Sequence, residues 1–195
     1  MKRTNLESPV RLRILQTARD LFYRQGYRAT GINEIIKKSG VAKASFYAYF
    51  PSKESLAVAY VQAMNVEETR ALAEAVQKFK SPYEKLIGLI DFLIPWAEAS
   101  DYRGCTYLNI SSEILDHAHP IRRESIAHYD WDHRLILKLL HELKDQKGAA
   151  WKNRDVEALA RDYMLIFTGA LALAQLYHQP KPFQDAKEAV RRLLA

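Results

Sequence analysis

Apolar residues recur at helical spacing along nearly the whole chain, and strand-like alternation is nowhere sustained. That feature restricts the fold to an all-α one, and the punctuation divides it into roughly nine helices. "SPVRLRILQTARDLFYRQGY" offers Ser8 and Pro9 as start signals, an apolar stripe at Ile14, Ala18, Leu21 and Phe22, and Gly26 as a stop. "TGINEIIKKSG" places Thr30 as an N-cap, Ile32, Ile35 and Ile36 on one face, and Gly40 past the end. A short helix from Lys43 to Tyr49 is ended by Pro51. A long amphipathic helix starts at Lys53, and another runs from Pro82 to about Ser100, with Pro95 expected to kink or split it. "TYLNISSEILDHA" reads as a helix, as does the segment from Pro120 to near Gly148; the last two cover about 153–178 and 182–194.

Charge is unevenly spread. Residues 1–53 hold eleven bases (Lys2, Arg3, Arg11, Arg13, Arg19, Arg24, Arg28, Lys37, Lys38, Lys43, Lys53) against Glu7, Asp20 and Glu34. The head is therefore +8, while the whole chain is only +6. A basic head on a slightly acidic body fits one end meeting a polyanion, although solvated charged faces are common. No apolar secretory segment opens the sequence, and the longest apolar run, 163–177, is too short for a membrane span. The single cysteine, Cys105, excludes an internal disulfide and fits a reducing compartment. A cytoplasmic protein without membrane attachment is expected.

The two short helices around "KSGVAKA" make a helix-turn-helix. Gly40 supplies the turn, while Ile35, Ile36 and Phe46 join the helices. Lys43, Ser45, Tyr47 and Tyr49 are left facing outward, with chemistry suited to phosphate oxygens and base edges. The longer stretch "ILQTARDLFYRQGYRATGINEIIKKSGVAKASFYAYFPSKESL" strongly resembles the DNA-binding domain of tetracycline-repressor (TetR) family regulators, over about residues 10–60. That resemblance implies a DNA-binding domain over 1–52 and a helical ligand-binding and dimerisation domain over 53–195. It also implies recognition-helix contacts at Lys43, Tyr47 and Tyr49, a phosphate-binding helix N-terminus at Thr30, and a phosphate contact at Lys53. Ala42 and Ala48 depart from the family's commoner Ser and His.

The body carries less specific signals. Residues 156–177 are apolar nearly all round, and 182–194 carry an apolar stripe. The resemblance makes 155–178 and 182–195 the homodimer face. Phe92, Trp96, Tyr107, Tyr129 and Phe167 suit an apolar cavity with polar tips, to which His133, Asn109 and Ser112 add hydrogen-bonding groups. Core packing competes as a reading for each of these aromatics. Cys105 is a candidate redox or electrophile sensor, with a buried structural thiol as the competing reading. No catalytic constellation, cofactor or metal site is expected, because the i, i+4 pairs Glu113/His117 and His128/Asp132 supply too few ligands. The expected function is a repressor released from a palindromic double-stranded DNA operator by a small-molecule effector. The alternative is a small-molecule-binding or enzymatic helical protein with an incidental basic N-terminus.

Overall fold

The structure, a computed structural model, describes residues 8–195. Lys2, Arg3 and Glu7, counted in the basic head, lie outside the described residues. Regular structure among the described residues is entirely helical, in nine α-helices and one 3₁₀ turn. In order they are α1 (Pro9–Gln25), α2 (Ile32–Ser39), α3 (Lys43–Tyr49), α4 (Lys53–Val76), α5 (Pro82–Ala99) and α6 (Thr106–Ser112). After them come α7 (Pro120–Lys147), the 3₁₀ turn (Gly148–Trp151), α8 (Val156–Tyr177) and α9 (Lys181–Leu193).

The chain forms two compact units. The first takes the described residues up to Val66 together with Thr106–Ile126; the second takes Glu67–Cys105 and Ala127–Ala195. Helices α4 and α7 contribute to both.

In the first unit, α1 buries the stripe Ile14, Ala18, Leu21 and Phe22. Gly26, at φ 98°, ends it and returns its N–H to the Phe22 carbonyl. Helix α2 begins two residues later than the proposed Thr30 cap. Gly31 is the N-cap, and the Thr30 hydroxyl instead donates to the Gly26 carbonyl at 2.8 Å. Gly40 takes the left-handed conformation that closes α2 and starts the turn. Phe46 on α3 and Phe50 just after it are both buried, as is Ile35 on α2. Helix α6 stops at Ser112, short of the run to Ala118 expected from the sequence. Asp116 turns the chain by accepting the Ala118 N–H, and Arg122 Nη1 donates to the Ser111 and Ile114 carbonyls.

In the second unit, α5 opens on a capping box between Ser81 and Glu84 and runs unbroken through Pro95. The expected split is absent. Pro95 lies on the exposed side of the helix, where water can take the hydrogen bond that the proline cannot donate. Asp155 caps α8 by accepting the Glu157 and Ala158 N–H groups. Leu86, Leu89, Ile90, Tyr163, Phe183 and Val190 are fully or almost fully buried, and burying each large side chain contributes about 1.5–3 kcal/mol. The Tyr163 hydroxyl donates to the Leu86 carbonyl at 2.5 Å, tying α8 to α5. No described helix is long and apolar enough to cross a membrane.

Candidate DNA interface, effector interior and subunit face

On the recognition helix α3, the buried Phe46 and Phe50 fix which side chains can face out. Lys43 and Tyr47 are exposed, Tyr47 at 41% and packed edge-on against Phe46. Ser45 is half-buried. Tyr49 differs from expectation: it is half-buried, and its hydroxyl lies 2.7 Å from Ser8 Oγ at the start of α1. At i, i+2 from Tyr47 it cannot share the same outward face, so it ties α3 to α1. Arg11 stacks over Phe50 at 5.3 Å on the same seam.

Thr30 and Lys53, expected beside phosphates, both engage the fold through their side chains. Thr30 is fully buried with its hydroxyl engaged internally, so its side chain is not presented to a phosphate. Lys53 turns inward. Its ammonium donates to the carbonyls of Tyr27 at 3.0 Å and Thr30 at 3.1 Å, and sits 4.5 Å from the centre of the Tyr27 ring. Burial holds its pKa below the usual lysine value, against the pull of Glu113. Lys53 braces the turn ahead of α2 rather than standing free at the surface. Sequence reasoning missed this because the acceptors are main-chain carbonyls 23 and 26 residues away.

The proposed effector residues do not all share one unit. Phe92, Trp96, Tyr129, His133 and Phe167 belong to the second, whereas Tyr107 is buried in the first, as part of α6. Asn109 and Ser112 also fall in the first unit. Within the second, Phe167 stacks on Tyr163 with centroids 6.2 Å apart. Cys105 is buried, its Sγ 3.4 Å from the Tyr129 hydroxyl. Burial, the Cys105 sulfur and Asp132 all push the Tyr129 phenol upward, so it stays protonated.

Beside Tyr129 lies a polar group that the sequence offered only as an i, i+4 pair. His128 Nε2 is 3.3 Å from Asp132 Oδ2 and 3.8 Å from Glu68 Oε2. Burial lowers the His128 pKa to about 4, leaving a neutral imidazole at pH 7. Burial and the Glu68 charge raise Asp132 to about 7. No set of three or more metal-binding side chains is gathered among the described residues.

One side of α8 is apolar and open. Leu165, Leu173, Leu176 and Tyr177 are exposed at 73, 45, 72 and 60%. A groove of about 470 Å³ runs between α8 and α9, floored by Gly169, Ala186 and Ala189.

Comparison with known proteins places this geometry. The family model for bacterial regulatory proteins of the tetR family matches residues 14–60, and the tetracyclin repressor-like C-terminal domain model matches 82–190. The chain belongs to the TetR family. The HTH-type transcriptional repressor NemR of Escherichia coli K12 is 27% identical over 194 residues, covering 97% of this chain and 96% of NemR. LmrA of Bacillus subtilis, an HTH-type transcriptional regulator, is 41% identical over 75 residues, which is 38% of this chain and 40% of LmrA. The crystal structure of SCO4454, a TetR-family regulator from Streptomyces coelicolor, superposes with a TM-score of 0.84 at 26% identity, covering 95% and 94% of the two chains. TetR membership makes the chain a DNA-binding transcriptional regulator of helix-turn-helix type, not an enzyme.

Proposed function

We propose that this TetR-family chain is a cytoplasmic repressor that grips a palindromic DNA operator as a homodimer and leaves it on binding a small-molecule effector. The observation carrying this reading is the division of α3 into a buried edge, Phe46 and Phe50, and an open one, Lys43 and Tyr47. A helix held rigidly by one side and bearing a cation and a phenol on the other suits major-groove reading. Residues 1–52 are the DNA-binding domain and 53–195 the effector and dimerisation domain. Dimerisation uses the face that α8 presents beside α9, because Leu165, Leu173 and Leu176 standing this open on one helix match an interface between subunits. The effector occupies the interior lined by Phe92, Trp96, Tyr129, His133 and Phe167. Its leverage is its difference in affinity for the operator-bound and free states, typically about 1–3 kcal/mol. Cys105, buried against Tyr129, forms part of that wall.

The test is selection of duplexes from a random library, followed by footprinting. An inverted repeat with half-sites about one helical turn or more apart is expected, with affinity falling steeply as salt rises. A single, non-palindromic half-site protected at saturation overturns the dimer reading. Leu173→Lys should give monomers and lose the operator at least 100-fold while keeping helical content. An intact dimer in that variant moves the interface elsewhere. Alkylation in the same assay, with Cys105→Ser as control, separates a wall thiol from a sensor: only a sensor releases DNA in the wild type and not in the variant.

A further inference from the structure

The head is held by a contact no motif announces. Glu113, just past the end of α6, reaches the turn between α1 and α2. Its Oε1 accepts the Tyr27 N–H at 2.9 Å and its Oε2 accepts the Arg28 N–H at 2.6 Å. A two-pronged, charge-assisted grip of this kind is among the stronger hydrogen-bonding arrangements. Gly26 makes room for it, since a Cβ there would come within 2.9 Å of Glu113 Oε1. From the other side, Lys53 holds the carbonyls of Tyr27 and Thr30. The turn's N–H groups are thus fastened to the end of α6 and its carbonyls to the start of α4.

The surrounding contacts bind these anchors together. Arg122, in the first turn of α7, donates to the Ser111 and Ile114 carbonyls on either side of Glu113. His119, just before α7, places Nε2 2.9 Å from Glu54 at the start of α4. His119 Nδ1 accepts the Ile121 N–H, which leaves Nε2 as the donor to Glu54. The chain passes between its two compact units at three places: within α4, just before α6 and within α7. The residue after α6 and the first residue of α4 both hold the Gly26–Thr30 turn that leads into α2, and the start of α7 braces each of those two anchors.

We propose that Glu113 is a positioning residue for operator binding, fixing the Gly26–Thr30 turn and through it the orientation of α2 and α3. It touches no DNA in this role. The role rests on the regulator reading above for its functional readout, and on amide exchange for a readout independent of it. Charge makes the test diagnostic. Removing a carboxylate from a basic head should, by electrostatics alone, strengthen binding to any DNA. A fall in operator affinity would therefore run against the charge.

The experiment uses the full chain, the duplex selected by the wild type, and a scrambled duplex of equal length. Glu113→Ala is expected to weaken operator binding at least tenfold, while affinity for the scrambled duplex stays level or rises. Glu113→Gln, which keeps one carbonyl acceptor, should fall between. Hydrogen exchange at the Tyr27 and Arg28 amides should quicken at least tenfold in Glu113→Ala, and not in the control Arg70→Ala on the exposed part of α4. Operator affinity within twofold of wild type overturns the proposal. So does an equal loss on both duplexes, which would mean a damaged fold rather than a misplaced helix. If Glu113→Ala does not fold, Glu113→Gln decides: unchanged affinity and unchanged exchange overturn the proposal. If the wild type selects no duplex, the regulator reading fails, yet slow exchange at Tyr27 and Arg28 that quickens in Glu113→Gln still upholds the clamp.

Discussion

The head and the second unit treat buried polarity in opposite ways. Across α1–α3, the buried polar side chains Thr30, Ser39 and Ser8 answer Gly26, Ile36 and Tyr49. In the second unit, His128 and Asp132 are buried together with both held towards their neutral forms, and one Asp132 oxygen has no hydrogen-bond partner among the described residues. Capping runs the other way. Helices α5 and α8 are closed by side chains at their N-termini, and α4 by Ser52, while α1, α2 and α3, like α9, have no side-chain cap. Helices α1–α3 thus draw their order from packing and distant clamps, whereas α5 and α8 are capped helices of a unit with a polar interior. A surface that must fit DNA needs one geometry; an interior that must admit a ligand retains groups for the ligand to answer.

If packing carries α1–α3, removing their most buried ring should hurt most. Phe46 is completely buried and lies within ring-contact distance of both Tyr47 and Phe50. Phe46→Ala should cost about 3–5 kcal/mol. Urea unfolding followed by amide exchange should show α1–α3 opening first, with α8 and α9 still protected. Equal loss of protection in both units would mean they unfold together and would break the contrast.

The polar interior of the second unit makes a pH signature. Asp132 is raised from 3.8 to about 7, so between those values the folded state keeps a proton that the unfolded chain releases, and stability falls as pH rises. His128 is lowered from 6.5 to about 4, so between those values the unfolded chain holds the extra proton, and stability rises with pH. From pH 4 to 6.5 the two slopes cancel, and wild-type stability should be nearly flat on their account. Asp132→Asn should unmask the histidine, giving stability that climbs by about 3 kcal/mol across that window. His128→Leu should unmask the carboxyl, with stability declining from pH 4 to 7. Thermal unfolding of the three proteins at half-unit pH steps measures this. A wild type and variants with parallel profiles would place these groups in ordinary, solvated surroundings.

Legibility from sequence follows the same divide. The helix-turn-helix was readable because its signals are local: Gly40 after an isoleucine stripe, Pro51 after a seven-residue helix, all within about twenty positions. The inward turn of Lys53 and the reach of Glu113 were not, since both end on main-chain atoms far away in sequence, where no side-chain pattern marks the partner. Thr30 was misplaced because a threonine before a helical stripe has two uses for its hydroxyl, capping forward or bonding back, and the glycine beside it took the cap. Which unit Tyr107, Asn109 and Ser112 join was not legible either, because aromatic and polar residues on a helix carry no address; α6 belongs to the first unit.

The smallest expected effect bears on capping. Ala42 occupies the N-cap of α3 in an extended conformation, φ −67° and ψ 143°, with no side chain to accept the free N–H groups of the first turn. That backbone geometry is the one a capping serine uses, and Ala42 is exposed, so a hydroxyl meets no packed neighbour. Ala42→Ser should therefore stabilise the head by about 0.5–1 kcal/mol, a modest rise because α3 is already fixed through Phe46 and Phe50. Chemical denaturation gives the change in midpoint, and exchange at the Ser45 and Phe46 amides, where the new bond would form or stiffen the turn, gives its location. A stabilised variant with slower exchange confined to that first turn means α3 in the natural chain is held by its buried edge and left loose at its start. No change in either measurement means packing alone already fixes the start of α3, and the missing cap there is a matter of form but not of energy.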